Sequence, residues 1–287
     1  MQLLLGIPVF FLLRTEEKAL FQLRNGLLIA GIGAMLLGEP ALLIFSFTLL
    51  PLAWSLHRSA QHEVTPAAAG RAGLAVLGSS WLIFWLLYGQ LTGVNPYTSL
   101  LAQLNNLLTQ IVEAYGSSMK NVSVELLQEF ELAAADMRVV LPKVLPGLLA
   151  GSAVLTVWLN MVVGNGLLRR FQPDKAPWPE YRCWQLPDTV VWLLIAAIIL
   201  AITSAGWLEI TGYSLAVVIG LLYFFQGAAV FAHLLHRWNV PTFWRIVLYI
   251  FVAAQGYGFL LLAVTGAADT WADFRKLAQN EQPPTRS

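Results

Sequence analysis

The chain alternates long apolar runs with short polar breaks, and the length of these runs is the strongest signal in the sequence. A helix that crosses a bilayer needs roughly 20 mostly apolar residues. Runs of about this length cover residues 73–91, 144–168, 190–207, 213–235 and 242–264. The pattern predicts an all-α fold, namely a polytopic transmembrane helix bundle with about five full spans.

The first apolar region differs from the others because a polar turn divides it. Residues 27–37 and 41–56 are apolar, and Gly38-Glu39-Pro40 stands between them. One helix over the whole region would be about 45 Å long, which is half as long again as the bilayer core. The residue before a proline also avoids the α-helical conformation. We therefore favour an N-terminal hairpin of two short helices over one long helix.

The distribution of basic residues supports the hairpin and predicts the orientation of the protein. Loops on the cytoplasmic side are enriched in Lys and Arg. With the hairpin, 11 of the 17 Lys and Arg residues lie on one side, whereas one long helix leaves 8 against 9. The loop 171–188 with Arg182 is then cytoplasmic. The segment 95–141 lies outside, as does Arg275 in the C-terminal tail.

The first 13 residues are apolar but too short to span a bilayer. They lack the basic flank and the small-residue cleavage site of a signal peptide. Two interpretations stay open for residues 1–13. They form an interfacial helix, or they are the second half of a span whose beginning precedes this Met.

The long segment on the outside is predicted to be helical. Apolar residues recur at helical spacing from Leu100 to Ile111 and again from Val124 to Met137, with Gly116-Ser117-Ser118 between them. We expect two amphipathic surface helices between Asn95 and Leu141, with an acidic outer face. They lie on the membrane or cap the bundle, or they form a lid or a docking surface for a partner.

The elements group into a single integral membrane domain over residues 1–287. Its parts are an N-terminal hairpin and span (27–93), the extracytoplasmic amphipathic helices (95–141), a four-span bundle (142–265) and a tail (266–287).

Composition narrows the classes of function. Charged residues make up 11% of the chain and hydrophobic residues 57%, which excludes a disordered protein and an ordinary soluble one. The net charge of +1 comes without a basic block, so nucleic acid is not an expected partner. Cys183 is the single cysteine, which excludes an intrachain disulfide and a cysteine-based metal cluster. No catalytic, cofactor-binding or metal-binding motif stands in a supporting context, so we expect no enzyme.

Polar side chains inside the apolar runs are the candidate ligand-binding residues. Helical rise places them at similar depths, very roughly 12 to 18 Å from the cytoplasmic boundary, and they are Ser79, Ser80, Asn160, Gln226 and Gln255. In hydrocarbon an amide needs a hydrogen-bonding partner, so these side chains face the bundle interior. They either join neighbouring helices or line a polar site near the midplane.

Three motifs resemble those of the YybS-like family of bacterial inner-membrane proteins of unknown function. They are Trp184-Gln185-Leu186-Pro187-Asp188, Tyr223-Phe224-Phe225-Gln226-Gly227, and the stretch Gly266-Ala267-Ala268-Asp269-Thr270-Trp271-Ala272-Asp273-Phe274-Arg275-Lys276. The resemblance covers most of the chain and is strongest from Pro142 to Lys276. It implies a multi-pass protein of the bacterial inner membrane. It also implies a fold-level likeness to the substrate-binding S-components of energy-coupling-factor transporters.

Two functions remain in competition. The first is a non-enzymatic membrane scaffold or regulator that acts through a partner membrane protein, docked on the surface helices or on the loop 169–184. The second is a small-molecule binding or transport component, whose site is the amide layer of Asn160, Gln226 and Gln255. Both place the protein in the lipid bilayer, and neither uses a cofactor.

Overall fold

The computed structural model of the protein describes residues 6–15, 47–118, 124–272 and 274–275. Over these residues the regular structure is helical, as predicted. The α-helices in the described part of the chain are α1 (Gly6–Thr15), α2 (Leu49–Gln61), α3 (Pro66–Thr92), α4 (Pro96–Ser118), α5 (Val124–Phe171), α6 (Val190–Thr203), α7 (Trp207–Arg237), α8 (Thr242–Ala254) and α9 (Gly258–Ala272). Most of the hairpin predicted for residues 27–56 lies outside the described residues.

Within the described residues, three helices are long and apolar enough to cross a membrane. They are α3, α7 and the part of α5 from Leu126 to Phe171, with mean hydropathies of 1.6, 2.1 and 1.7. The expectation of about five full spans is therefore not confirmed by the described residues. Helix α6 has 14 residues, about 21 Å of helical rise, and falls short of a bilayer core.

The prediction that residues 242–264 form one spanning helix is wrong. Gln255 adopts an extended backbone (φ −77°, ψ 122°) and ends α8, and α9 begins at Gly258. The apolar pattern continues through this break because Gly256 and Tyr257 do not interrupt hydropathy, so hydropathy alone did not reveal it.

The second outer amphipathic helix and the following span form one helix. Helix α5 has 48 residues, about 72 Å of helical rise, and includes Pro142 and Pro146. Pro146 lacks an N–H, so the carbonyl of Pro142 has no helical donor. The hydroxyl of Tyr97 in α4 donates to that carbonyl at 3.1 Å. Packing of α4 thus compensates for the proline.

Helix α7 is the centre of the bundle and packs against α5, α6 and α9. Small residues allow the close approach. A Cβ added at Gly227 would overlap the carbonyl of Leu262 in α9, and one at Gly266 would overlap the carbonyl of Tyr223 in α7. A Cβ at Gly147 would similarly meet the backbone of Ser214. Gly147 is therefore a point of close helix packing between α5 and α7.

The N-terminal helix α1 packs inside the bundle, beside α2 and α5. Phe10 is fully buried and stacks on Trp178 with ring centroids 5.8 Å apart. Gly6 lies against Asn160 and Phe10 lies against Gly164, so α1 runs parallel to the end of α5. The interfacial interpretation of residues 1–13 therefore does not hold for the described part, Gly6–Thr15.

The connection between α5 and α6 turns back into the bundle. We call residues 172–189 the inserted segment; they contain only two short 3-10 turns, Pro173–Lys175 and Tyr181–Cys183. Trp178 hydrogen-bonds Asn165, and the ring of Tyr181 lies 5.4 Å from that of Trp158. Trp158 precedes the end of α5 by 13 residues, so the segment descends about 20 Å along that helix. Irregular backbone at such depth requires protein partners for its polar groups.

Candidate functional site

The end of α5 supplies the first set of hydrogen-bonding partners for the backbone of the inserted segment. Asn165 is buried, and its Nδ2 donates to the carbonyls of Trp178 (3.0 Å) and Pro179 (3.2 Å). Its Oδ1 accepts from the Trp178 amide at 3.2 Å. Arg169 donates to the same Trp178 carbonyl through Nε (3.2 Å) and Nη2 (2.7 Å). We call Asn165 and Arg169 the first anchor, since they hold the first half of the inserted segment at Trp178 and Pro179.

The second set of partners is a buried ionic network between α7 and the C-terminal end of the described chain. Arg275 and Asp269 form an ion pair at 2.6 Å, with side chains 0% and 1% exposed. Gln226 donates to the same carboxylate oxygen at 3.1 Å and accepts from the Leu186 amide at 3.3 Å. We call Gln226, Asp269 and Arg275 the second anchor.

Arg275 ties this network to the inserted segment. Its Nη1 donates to the carbonyls of Arg182 (3.1 Å) and Trp184 (2.6 Å). The prediction that Arg275 and Arg182 lie on opposite sides of the membrane is therefore wrong. The count of basic residues treated Arg275 as a surface charge, whereas Asp269 neutralises it inside the bundle.

Burial of the two charges of the second anchor has a high desolvation free energy. Desolvating two charges costs several kcal/mol per ion, and the pair recovers this only with good geometry and additional hydrogen bonds. Arg275 donates hydrogen bonds to the Asp269 carboxylate and to two backbone carbonyls. The other oxygen of Asp269, Oδ1, is buried without a hydrogen-bond partner among the described residues. The cost of burial is thus offset mainly on the arginine side, where the inserted segment is held.

A cavity of about 990 Å³ lies beside the inserted segment. Its walls are the first turns of α3, the second half of α5, one face of α7 and the segment itself. The apolar lining includes Leu74, Val154, Val157, Met161, Val218 and Leu222. The volume falls at the upper end of the range of small-molecule sites in proteins.

Charged groups of the cavity lie where α3 begins and α5 ends. They are Arg71, Arg169 and Glu180. Glu180 is paired with Arg182 at 2.5 Å and lies 3.8 Å from Arg169. Arg71 is exposed, and within the described part of the chain no ion pair or hydrogen bond holds its guanidinium. The cavity therefore has an apolar body and a charged end with a cation available for a ligand.

Tyr181 fixes the deep wall of the cavity. Its hydroxyl donates to the carbonyl of Phe225 in α7. The phenol therefore acts as a hydrogen-bond donor to α7.

The predicted amide layer does not converge on this cavity, because none of its five residues lines it. Gln226 is buried in the second anchor. Asn160 is buried, donates to the carbonyl of Thr156 in its own helix at 2.7 Å, and faces Gly6 of α1. These two amides of the layer serve different helix contacts.

The other three predicted residues lie at the surface or bond to their own helix. Gln255 is exposed at the break between α8 and α9. Ser79 and Ser80 donate to carbonyls one turn earlier in α3, at 2.8 Å for both Ser79 to Ala75 and Ser80 to Val76. Such bonds satisfy a hydroxyl in an apolar environment without a partner helix.

Sequence reasoning missed the residues that build this site, namely Arg71, Asn165, Arg169, Tyr181, Asp269 and Arg275. An amide between two glycines, as in Gly164-Asn165-Gly166, is a usable sequence signal for a backbone contact. Asp269 stands out only within a family-like motif, and Arg275 was predicted to lie in the tail outside the membrane. Their spacing by six residues gave no sign of an ion pair, because α9 ends between them.

The sequence matches a family model described as "Predicted membrane protein (DUF2232)" over residues 1–270. The chain belongs to this family. No curated protein and no solved structure is significantly similar to it. The predicted membrane character is confirmed by the family match. The narrower YybS-like name and the likeness to transporter S-components remain predictions.

Proposed function

We propose that the protein is a non-enzymatic binding or transport component of the membrane that holds a small molecule in the cavity beside the inserted segment. One observation supports this above all. The irregular backbone of the inserted segment extends about 20 Å along α5 and is held by the two anchors. It forms one wall of a cavity of about 990 Å³. In membrane proteins, irregular backbone at depth is typical of binding sites and pathways.

The cellular setting of the proposal is a multi-pass protein of the bacterial inner membrane. The family match and the three long apolar helices support membrane insertion. Basic residues gather at the end of the bundle where the inserted segment begins. Arg14 donates to the Lys175 carbonyl at 2.8 Å, and Lys175 donates to the Thr15 carbonyl at 3.1 Å. By the positive-inside rule this end faces the cytoplasm.

The test is to fill the cavity without touching the anchors. Ala67 and Ala72 are both exposed alanines of α3, but only Ala67 lines the cavity. We expect a small molecule to co-purify in mild detergent with the parent protein and with Ala72→Trp, and to be lost from Ala67→Trp. Mass spectrometry of extracted small molecules measures this. The proposal fails if no retained molecule distinguishes the two variants.

A scaffold that acts through a partner membrane protein remains a second candidate, because α4 and the outer part of α5 leave apolar side chains uncovered. Tyr115 and Phe130 stack between the two helices with centroids 4.6 Å apart. Leu132 and Met137 stay 67% and 53% exposed. A photo-crosslinking residue at Leu132 should capture one stoichiometric protein partner. A crosslinker at Leu193, exposed on α6, is the control, and equal capture at both positions would reject this function.

A further inference from the structure

We propose that the occupant of the cavity is a single membrane lipid with an anionic head group, taken from the leaflet at the end of the bundle where α5 terminates. This inference rests on the proposed binding function and names its ligand class. Three features of the cavity support it: its length, its polarity along that length and its available cation.

The length of the cavity matches one leaflet. Its lining on α5 extends from Val154 to Arg169, about 22 Å of helical rise. One leaflet comprises half of a hydrocarbon core of about 30 Å and one head-group layer, which together give about 20–22 Å. A molecule that fills the cavity from end to end therefore has the length of a lipid.

The polarity of the cavity also follows that of a lipid. Helices α3 and α5 are antiparallel, since Gly70 lies against Met161 and Gly73 against Val157. The deep part of the cavity is apolar, with Leu74, Val154 and Leu222. Arg169 and Glu180 lie towards the opposite end, and Arg71, next to Gly70, lies about midway along the cavity. Acyl chains would pack in the deep part, and the head group would lie beside the charges.

The charge at that end selects an anion. Glu180 is already engaged by Arg182 at 2.5 Å, so it contributes little net charge to the cavity. Helical side chains lean towards the N-terminus of their own helix, and for Arg71 this direction leads towards the end of α5. Arg71 can therefore extend its guanidinium towards the head-group layer. Basic pockets between membrane helices on the cytoplasmic side bind anionic head groups.

Cys183 provides the readout, because it is the single cysteine of the chain, is exposed and lines the cavity. The full chain in neutral detergent receives dioleoyl phosphatidylglycerol or dioleoyl phosphatidylcholine, and the rate of Cys183 alkylation by a maleimide is measured. We expect phosphatidylglycerol to half-protect Cys183 at about a fivefold lower concentration than phosphatidylcholine, the affinity that one basic residue near an anionic head group contributes.

Variants assign the effect to Arg71. Arg71→Gln should remove the difference between the two lipids, whereas Arg71→Lys should keep most of it. Arg58→Gln is the control, because Arg58 is exposed on α2 and does not line the cavity. Both Gln variants should keep the melting temperature of the parent protein.

The remaining outcomes separate this inference from the proposed function. Equal protection by both lipids overturns the anionic head group but leaves a lipid site. No protection by either lipid, with a small molecule still lost from Ala67→Trp, overturns the lipid and leaves the binding function. No protection together with no retained molecule overturns both.

Discussion

At the scale of single residues, the ion pair of Asp269 and Arg275 is the most deeply buried ion pair in the described part of the chain. Both side chains are essentially unexposed. Removal of one partner leaves a buried charge, whereas removal of both removes the desolvation cost as well. The pair therefore differs from the surface pair of Arg169 and Glu180, whose side chains are 38% and 46% exposed.

Substitution of either partner should destabilise the protein strongly. We expect Asp269→Leu or Arg275→Met to cost about 3–5 kcal/mol, and the double variant to cost less than the sum of the two. Melting temperatures of the parent, the two single variants and the double variant in detergent complete this double-mutant cycle. Arg58→Met, at an exposed position, provides the baseline. Additive losses in the double variant would mean that the two side chains act independently, contrary to the ion pair.

Loss of the second anchor should also loosen the inserted segment. Arg275→Met removes the donor to the Arg182 and Trp184 carbonyls, which flank Cys183. Alkylation of Cys183 should therefore become faster in this variant below its melting temperature. An unchanged rate would indicate that Asn165 and Arg169 hold the segment without help from Arg275.

At the scale of elements, contact between α7 and α9 depends on glycines at the crossing. The backbones approach so closely at Gly227 and Gly266 that no side chain fits between them. Without a hydrophobic driving force between helices in lipid, such close packing is a main source of association. The second anchor lies at the same crossing, so helix packing and the ionic network support each other.

The matched pair Gly227→Ala and Gly220→Ala tests this contact. Both glycines are in α7, but a Cβ at Gly220 meets no atom within 4 Å. We expect Gly227→Ala to cost about 1–3 kcal/mol through overpacking, and Gly220→Ala to be neutral or slightly stabilising. Thermal unfolding in detergent compares them. Equal stability of the two variants would exclude a tight crossing at Gly227.

At the scale of the whole molecule, the continuity of α5 decides the shape of the protein. A separate outer helix would lie along the membrane surface, whereas a continuous 48-residue helix extends well beyond the bilayer. The outer half then carries α4 away from the bundle, since α4 packs mainly on α5. The exposed apolar side chains on the outer part of this pair consequently lie away from the membrane surface.

A distance measurement separates the two shapes. Spin labels at Leu132→Cys and Arg170→Cys, in a Cys183→Ser background, should be about 57 Å apart along a straight helix. The pair Leu148→Cys and Arg170→Cys, within the span, should give about 33 Å and serves as the control. A bend to the membrane surface near Pro142 would shorten the first distance to about 45 Å and leave the second unchanged.

Orientation is the second prediction at this scale. We expect a membrane-impermeant maleimide to label Cys183 only after the cells are opened, since the inserted segment enters from the basic end of the bundle. A cysteine at Leu132, in a Cys183→Ser background, should be labelled in intact cells. Reversal of the two patterns would invert the orientation.

Local sequence was sufficient to predict the class of structure. Long apolar runs exclude a soluble fold and predict helices, because only a helix satisfies the backbone of such a run in lipid. Helical spacing also predicted the amphipathic helices around Leu100–Ile111 and Val124–Met137. The family match agrees with this reading. These properties depend on local sequence, which hydropathy and periodicity measure directly.

The candidate site, in contrast, depends on contacts between residues that are far apart in the sequence. Arg275 meets the carbonyls of Arg182 and Trp184 across more than 90 residues of sequence, and no local pattern encodes such a contact. Helical rise placed Gln226 and Gln255 at similar depths, but packing buries the first against Asp269 and leaves the second exposed. Depth along a helix is a local quantity, whereas the direction in which a polar side chain finds its partner depends on which helices the fold brings together.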